Sequence, residues 1–286
     1  SSCGLCARRC GVDRLNGEKG FCRSSLEASV YSYSEHHGEE PPISGTRGSG
    51  TIFFSNCCMG CVYCQNYQFS QNDTGREMTP GALAAVMLDL KDRGCHNINL
   101  VNPTHYLPAV VKALSAAYSR GLDIPVVYNS GGYDSYEALC ALEGVVDIYL
   151  PDMRYSSDEP AVKYSQAPGY VAANRSAVKE MLRQTGTLNM SDGIAVKGLL
   201  IRLLVMPNGV SGTIETLRFI SEELGRDVHL SVMSQYYPAH KASSHREISR
   251  RIYEQEYDEV LRQLDGLGLD QGWIQPFEGP FDRRFA

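Results

Sequence analysis

The run Thr51-Ile52-Phe53-Phe54-Ser55-Asn56-Cys57-Cys58-Met59-Gly60-Cys61-Val62-Tyr63-Cys64 decides how this chain is read. Thr51 to Phe54 is β-rich and leads directly into Cys57, Cys61 and Cys64, spaced C-x3-C-x2-C. Three thiolates on one tight loop can each ligate one iron of a cubic four-iron (4Fe-4S) cluster, which leaves the fourth iron without a protein ligand. Gly60 lets the backbone turn sharply beside the sulfides. Two other readings compete. Counted from Cys58 the loop begins like a bacterial ferredoxin, but that pattern wants a fourth cysteine followed by proline, and Gln65 to Gln71 holds none. A structural zinc ion would need four protein ligands, of which Cys58 could supply one. The open cluster is favoured, with Cys58 as a bystander.

Outward from this loop, strand-like and helix-like segments alternate. Thr79-Pro80 opens a helix with Leu83, Val86, Met87 and Leu90 on one face. Apolar runs at Asn97–Val101, Pro125–Tyr128, Val146–Leu150, Leu199–Val205 and Val228–Met233 follow, separated by helical patterns, one of them capped by Thr213. With Thr51–Phe54 this makes six near-continuous apolar strands, the pattern of a parallel sheet covered by helices. Periodicity alone leaves an open sheet and a barrel both possible. Either way, functional groups belong just after the strand C-termini. Polar clusters stand there: the cysteine loop, Asn102-Pro103-Thr104-His105, Asn129-Ser130-Gly131-Gly132, Asp152 with Arg154, Pro207-Asn208-Gly209 and Gln235-Tyr236-Tyr237.

The 286 residues, 43% hydrophobic and 21% charged, suit one large α/β unit or two smaller domains. A formal charge of -6 argues against nucleic acid as the main partner. No apolar stretch approaches the roughly 20 residues that span a bilayer, and the first residues lack a signal-peptide pattern, so a cytoplasmic location is expected and no membrane partner.

Eight of the ten cysteines fall within the first 64 residues. Cys3, Cys6, Cys10 and Cys22 give C-x2-C-x3-C-x11-C, a set that closes a coordination sphere around zinc or an auxiliary iron–sulfur cluster. The spacing does not choose between them. A metal-binding extension over 1–48 and a core over 49–286 are the expected divisions. Cys95 and Cys140 read as packing residues, and His36, His37, Glu39 and Glu40 as a solvated loop.

The cysteine loop, with aromatic Tyr63 just before its last cysteine, resembles the signature of the radical S-adenosylmethionine (SAM) superfamily. The resemblance extends across nearly the whole chain and is closest to homologues of pyruvate formate-lyase activating enzyme. The head with Cys3, Cys6, Cys10 and Cys22, the segments Asn102–His105 and Tyr149-Leu150-Pro151-Asp152, and the tail Glu247-Ile248-Ser249-Arg250-Arg251 carry it. It implies a partial (β/α)6 TIM-type barrel and an oxidoreductase that reductively cleaves S-adenosyl-L-methionine. The products are methionine and a 5′-deoxyadenosyl radical, which abstracts hydrogen from a substrate. A glycyl radical enzyme to be activated is one option for that substrate; a small molecule or peptide is another. The resemblance further implies an electron donor such as flavodoxin or ferredoxin. Tyr63, Asn102, Thr104, His105, Asn129, Ser130, Asp152, Arg154 and Arg202 are the expected cofactor-binding residues. Gln235, Tyr236, Tyr237 and His240 are the expected groups over cofactor and substrate. Two departures stand out: Asn102–His105 replaces a Gly-Gly-Glu-like segment, and Arg154 stands where a lysine is more usual. The competing class is a non-catalytic iron–sulfur electron carrier or scaffold.

Overall fold

The computed structural model describes residues 2–277. All six expected strands form, as β2 (Ser49–Phe54), β4 (Ile98–Val101), β5 (Val126–Ser130), β6 (Ile148–Pro151), β8 (Ile194–Leu204) and β9 (His229–Met233). They pair in parallel in the order β2-β4-β5-β6-β8-β9. Four more strands had no apolar run to announce them. β10 (Gly272–Ile274) adds in parallel beside β9, while β1 (Ala28–His36) and β3 (Arg76–Met78) extend the other end antiparallel. β7 (Asn189–Ser191) forms a hairpin with the start of β8. Because β1 is hydrogen-bonded to β2, part of the 1–48 segment belongs to the sheet itself. The last residues of the expected core, 278–286, lie outside the described residues.

Helices connect the strands: α3 (Pro80–Asp92), α4 (Leu107–Tyr118), α5 (Tyr136–Cys140), α6 (Asp158–Ser165), α7 (Tyr170–Thr185), α8 (Thr213–Phe219) and α9 (Glu254–Gly266). Two four-residue turns, α1 (Pro41–Ser44) and α2 (Tyr67–Ser70), complete the set. Thr79 caps α3 as expected, its hydroxyl accepting from the Ala82 amide at 3.3 Å. Thr213 does not cap α8. The capping position is Gly212, left-handed at φ 61°, and the Thr213 hydroxyl pairs with Ser211 instead.

The sheet curves far enough that its two ends face one another. His36 of β1 and Phe53 of β2 line the same cavity as Met233 of β9 and Trp273 of β10. This is the expected partial barrel, open between β1–β2 and β9–β10. Side chains alternate across each strand, and the alternation sorts the interior into layers. Val127, Ile148, Leu150 and Leu200 pack with Ile43 of α1, which closes one end of the lumen. Two residues further along three of these strands, the inward positions are Asn129, Asp152 and Arg202. An apolar plug therefore supports a polar layer, and the polar layer faces the cysteine loop.

Candidate active site

Cys57, Cys61 and Cys64 line one cavity of about 100 Å³ together with Asn102, Asn129, Ser130, Asp152, Arg154 and Arg202. Strand-end geometry brings them together, since each of these polar residues sits at the C-terminal end of a parallel strand or just beyond it. The loop is anchored by its neighbours. Gly60 and Val62 amides donate to the Ser165 and Tyr164 carbonyls at 2.9 and 2.8 Å, and Gln71 Nε2 donates to the Cys61 carbonyl at 2.8 Å.

Donors are already directed at the sulfurs. Cys61 Sγ accepts from Ser165 Oγ at 3.0 Å and from Arg154 Nη1 at 3.3 Å, and Cys57 Sγ accepts from the Met59 amide at 3.3 Å. Ser165 continues the chain inward: its hydroxyl pairs with Tyr155 at 2.7 Å, and Tyr155 with Tyr63 at 2.8 Å. Hydrogen bonding with Cys58, then the Met59 amide and Arg154, lower the Cys57 thiol despite its burial. Burial raises Cys61 and pushes Cys64 up to about 12.

Opposite the cysteines lies a carboxylate clamped between two guanidinium groups. Asp152 Oδ2 accepts from Arg154 Nη2 at 2.5 Å and Nε at 3.1 Å, while Oδ1 accepts from Arg202 Nε at 2.9 Å. Burial would raise the Asp152 carboxyl, but Arg202 and Arg154 outweigh it and hold the group below its ordinary value. Arg202, which an apolar strand could not tolerate unpaired, also donates to Asn129 Oδ1 at 2.7 Å. Behind the clamp, Gly132 is left-handed at φ 69°, and a β-carbon there would collide with Asn174 Nδ2 and the Asp152 carbonyl. Asn174 Nδ2 in turn donates to the carbonyls of Gly132 and Asp152, both at 3.0 Å.

A second cavity of about 500 Å³ shares Asn66, Val101, Asn129 and Arg202 with the first and opens along the gap in the barrel. Glu39 and Glu40 line it, which corrects their reading as a solvated loop. Glu39 Oε2 lies 3.5 Å from Arg202 Nη1, its Oε1 accepts from Asn99 at 3.0 Å, and Glu40 is only 9% exposed. The following Pro41-Pro42-Ile43 turns the chain under the barrel and carries both carboxylates inside. That short proline-led apolar turn is the one sequence signal that could have revealed them.

Other expected residues lie elsewhere. Thr104 donates to Asp134 at 2.7 Å in a buried set with Tyr128 and Ser130, and it is away from the cavity wall. His105 is fully buried, with Nε2 on the Ser55 carbonyl at 2.9 Å, and burial pushes it down to about 4. Tyr63 stands behind the loop, pushed up to about 12 by burial. Gln235 lines the larger cavity. Tyr236 does not face it, being buried with its hydroxyl on the Ile248 carbonyl at 2.6 Å. Tyr237 is exposed beside Arg251, and His240 stacks on Tyr67 at 4.7 Å. Tyr106 and Tyr133 are buried in the core.

In the head, Cys3 stands within electrostatic reach of Cys6 and Cys10. Arg14 Nη2 donates to Cys22 Sγ at 3.1 Å, Cys6 lies against Cys58, and Cys10 is exposed. Among the described residues no group of three or more His, Cys, Asp or Glu converges on a single metal-ion position. The head packs onto the back of the loop: Arg8 Nε donates to the Cys58 carbonyl at 2.7 Å and its guanidinium covers the Phe21 ring at 3.5 Å. No helix among the described residues is long and apolar enough to cross a membrane.

The residues of the smaller cavity fit an open iron–sulfur cluster. Three thiols of one loop face one space, with neutral and cationic donors aimed at sulfur, which suits anionic thiolates. Comparison of folds agrees with a partial barrel. The crystal structure of HydG, a maturase of the FeFe-hydrogenase, superimposes with a TM-score of 0.54 at 14% identity over 77% of this chain and 49% of that one. HydG from Carboxydothermus hydrogenoformans gives 0.52 at 16% identity over 77% and 50%. This chain thus spans about half the length of the HydG structures. Methylornithine synthase (PylB) gives 0.52 at 17% identity over 82% of this chain and 75% of that one. At these identities the likeness concerns the fold. No protein-family model matches the chain. Uncharacterized protein MJ0674 of Methanocaldococcus jannaschii is 32% identical over 283 residues, 94% of this chain and 76% of that protein. At that identity and coverage, the chain belongs to the family of MJ0674.

Proposed function

We propose that this protein is a radical SAM enzyme. The observation that carries the reading is the shared cavity of Cys57, Cys61 and Cys64 with the Asp152–Arg154–Arg202 clamp. When bound by the three thiolates, a 4Fe-4S cluster with SAM supplies one-electron cleavage of the sulfonium to methionine and a 5′-deoxyadenosyl radical that takes hydrogen from the substrate. The chain's own residues hold, orient and shield. Arg154 and Ser165 donate to Cys61 Sγ, and such hydrogen bonds stabilise negative charge on the sulfurs and so raise a cluster's reduction potential. Asp152 fixes both guanidinium groups in direction, and Arg202 stands ready to orient a carboxylate such as that of SAM. Asn102 accepts from the Cys57 thiol at 3.5 Å and donates to the Asn56 carbonyl at 2.8 Å, tying the loop to the second strand end. The substrate is a partner protein, as for a glycyl radical activase, or a small molecule or peptide, and a flavodoxin- or ferredoxin-type protein is the electron donor.

The test is anaerobic reconstitution with iron and sulfide, reduction by dithionite, addition of SAM and quantification of 5′-deoxyadenosine. Production that disappears when Cys57, Cys61 and Cys64 become Ala supports the reading. A loaded, reduced cluster that neither binds SAM nor yields 5′-deoxyadenosine supports the electron-carrier or scaffold alternative. The same triple variant reports on Cys3, Cys6, Cys10 and Cys22 as a second site. Zinc without iron identifies a zinc site, iron without zinc an auxiliary cluster, and the absence of both removes the second metal.

A further inference from the structure

The larger cavity holds more acid than the arginine clamp uses. Asp152 engages both Arg154 and Arg202. Glu39 reaches Arg202 only at 3.5 Å. Glu40 lines the cavity at 9% exposure, and its Oε2, shut off from solvent, has no hydrogen-bond partner among the described residues. Three carboxylates thus surround two guanidinium groups, and one buried carboxylate oxygen still lacks a donor. An acid held in that state is costly, and positive charge with N–H donors brought to the face that Glu39 and Glu40 show the cavity would offset it. The same cavity is lined by Phe53 and Trp273, and aromatic faces attract cations.

We propose that this cavity is the substrate site and that it takes an organic cation, an ammonium or guanidinium group held by Glu39 and Glu40. The word substrate rests on the radical SAM reading; the cation site itself does not. Because Asn129 and Arg202 form walls of both cavities, a molecule held by the two glutamates abuts the cysteine cavity.

Trp273 is the chain's single tryptophan and gives a local probe. Its fluorescence is titrated on the reconstituted protein with agmatine, which carries both an ammonium and a guanidinium group, and in parallel with glutarate. A saturable response to agmatine is expected, none to glutarate, and affinity about tenfold weaker in Glu40→Gln and in Glu39→Gln, the loss that follows from removing one charge-assisted hydrogen bond. No saturable response in the unmodified protein overturns the proposal, as does affinity unchanged from the unmodified protein in both variants or equally tight binding of glutarate. Melting temperatures of the two variants confirm that they remain folded, and the unmodified protein alone can refute the site if either does not. The 5′-deoxyadenosine assay separates the two claims. Agmatine binding with neither SAM binding nor SAM cleavage upholds the cation site and removes the radical reading, whereas SAM cleavage without agmatine binding does the reverse.

Discussion

Two regions of this molecule carry closely spaced cysteines, and the fold treats them differently. The loop after β2 presents Cys57, Cys61 and Cys64 to one cavity. In the head, Cys3 is in electrostatic reach of Cys6 and Cys10, Cys6 lies against Cys58 of the loop, and Cys22 sits beside Arg14. Spacing within a motif is nearly the same in both. What differs is the support: the loop hangs from the C-terminal end of a parallel strand, facing other strand ends, whereas the head is a coil that packs by Arg8 and Arg14. The loop's place after a strand end, held by the Tyr164 and Ser165 carbonyls, is what turns its cysteines toward the cavity.

Experiments can break or sharpen this contrast. The largest effect is expected from Cys61→Ala, which should abolish both iron retention at the loop and 5′-deoxyadenosine formation. Iron analysis and product quantification read it, and retention of activity would dissolve the distinction between the regions. Next is Asp152→Asn, which leaves buried Arg154 without a carboxylate and Arg202 with Glu39 at 3.5 Å. Breaking a buried ion pair from one side costs about 3–5 kcal/mol, to be read as a lower denaturant midpoint. A shift within error would mean that water already solvates the clamp.

A smaller effect concerns His105, held near 4 by burial against an ordinary value of 6.5. Its folded pKa is depressed, so between 6.5 and 4 the unfolded chain binds the extra proton and stability falls with pH. From pH 7 to pH 5 the loss attributable to this group is about 2 kcal/mol. Denaturation of the unmodified protein and of His105→Gln at both pH values isolates it, and equal slopes would refute it. Ser165→Ala, which removes the hydroxyl on Cys61 Sγ, should lower the cluster's reduction potential and cost about 1 kcal/mol of stability. Redox titration and denaturation check the two parts. The smallest effect is expected at the exposed head position: Cys10→Ser should leave iron content and the electron paramagnetic resonance signal of the loop cluster unchanged.

The sequence made the six parallel strands legible because buried parallel strands are continuous apolar runs, and it placed the polar layer correctly because that layer stands where such strands end. Whereas Arg202, inside an apolar strand, was marked only by the resemblance, Asn102, Asn129, Ser130, Asp152 and Arg154 were found by this logic. It failed where burial is produced by a distant contact. β1 reads Ala-Ser-Val-Tyr-Ser-Tyr-Ser-Glu-His, with an exposed middle and end, and becomes a strand through its partner β2. Glu39 and Glu40 look solvated beside His36 and His37 until α1 folds them into the lumen. Thr104, His105 and Tyr236 stand at strand ends yet turn away, because buried partners at Asp134, Ser55 and Ile248 claim their polar atoms.

Gly132 sets a limit of another kind. Its left-handed backbone and the absence of room for a β-carbon put Asn174 and the Asp152 carbonyl in van der Waals reach of the main chain itself. Saturation mutagenesis across the barrel mouth, selected for any new substrate, should therefore return varied residues at Gln235 or Trp273 while position 132 remains glycine. The freedom of this scaffold to evolve lies along the gap in the barrel, and the floor behind the arginine clamp is closed to it.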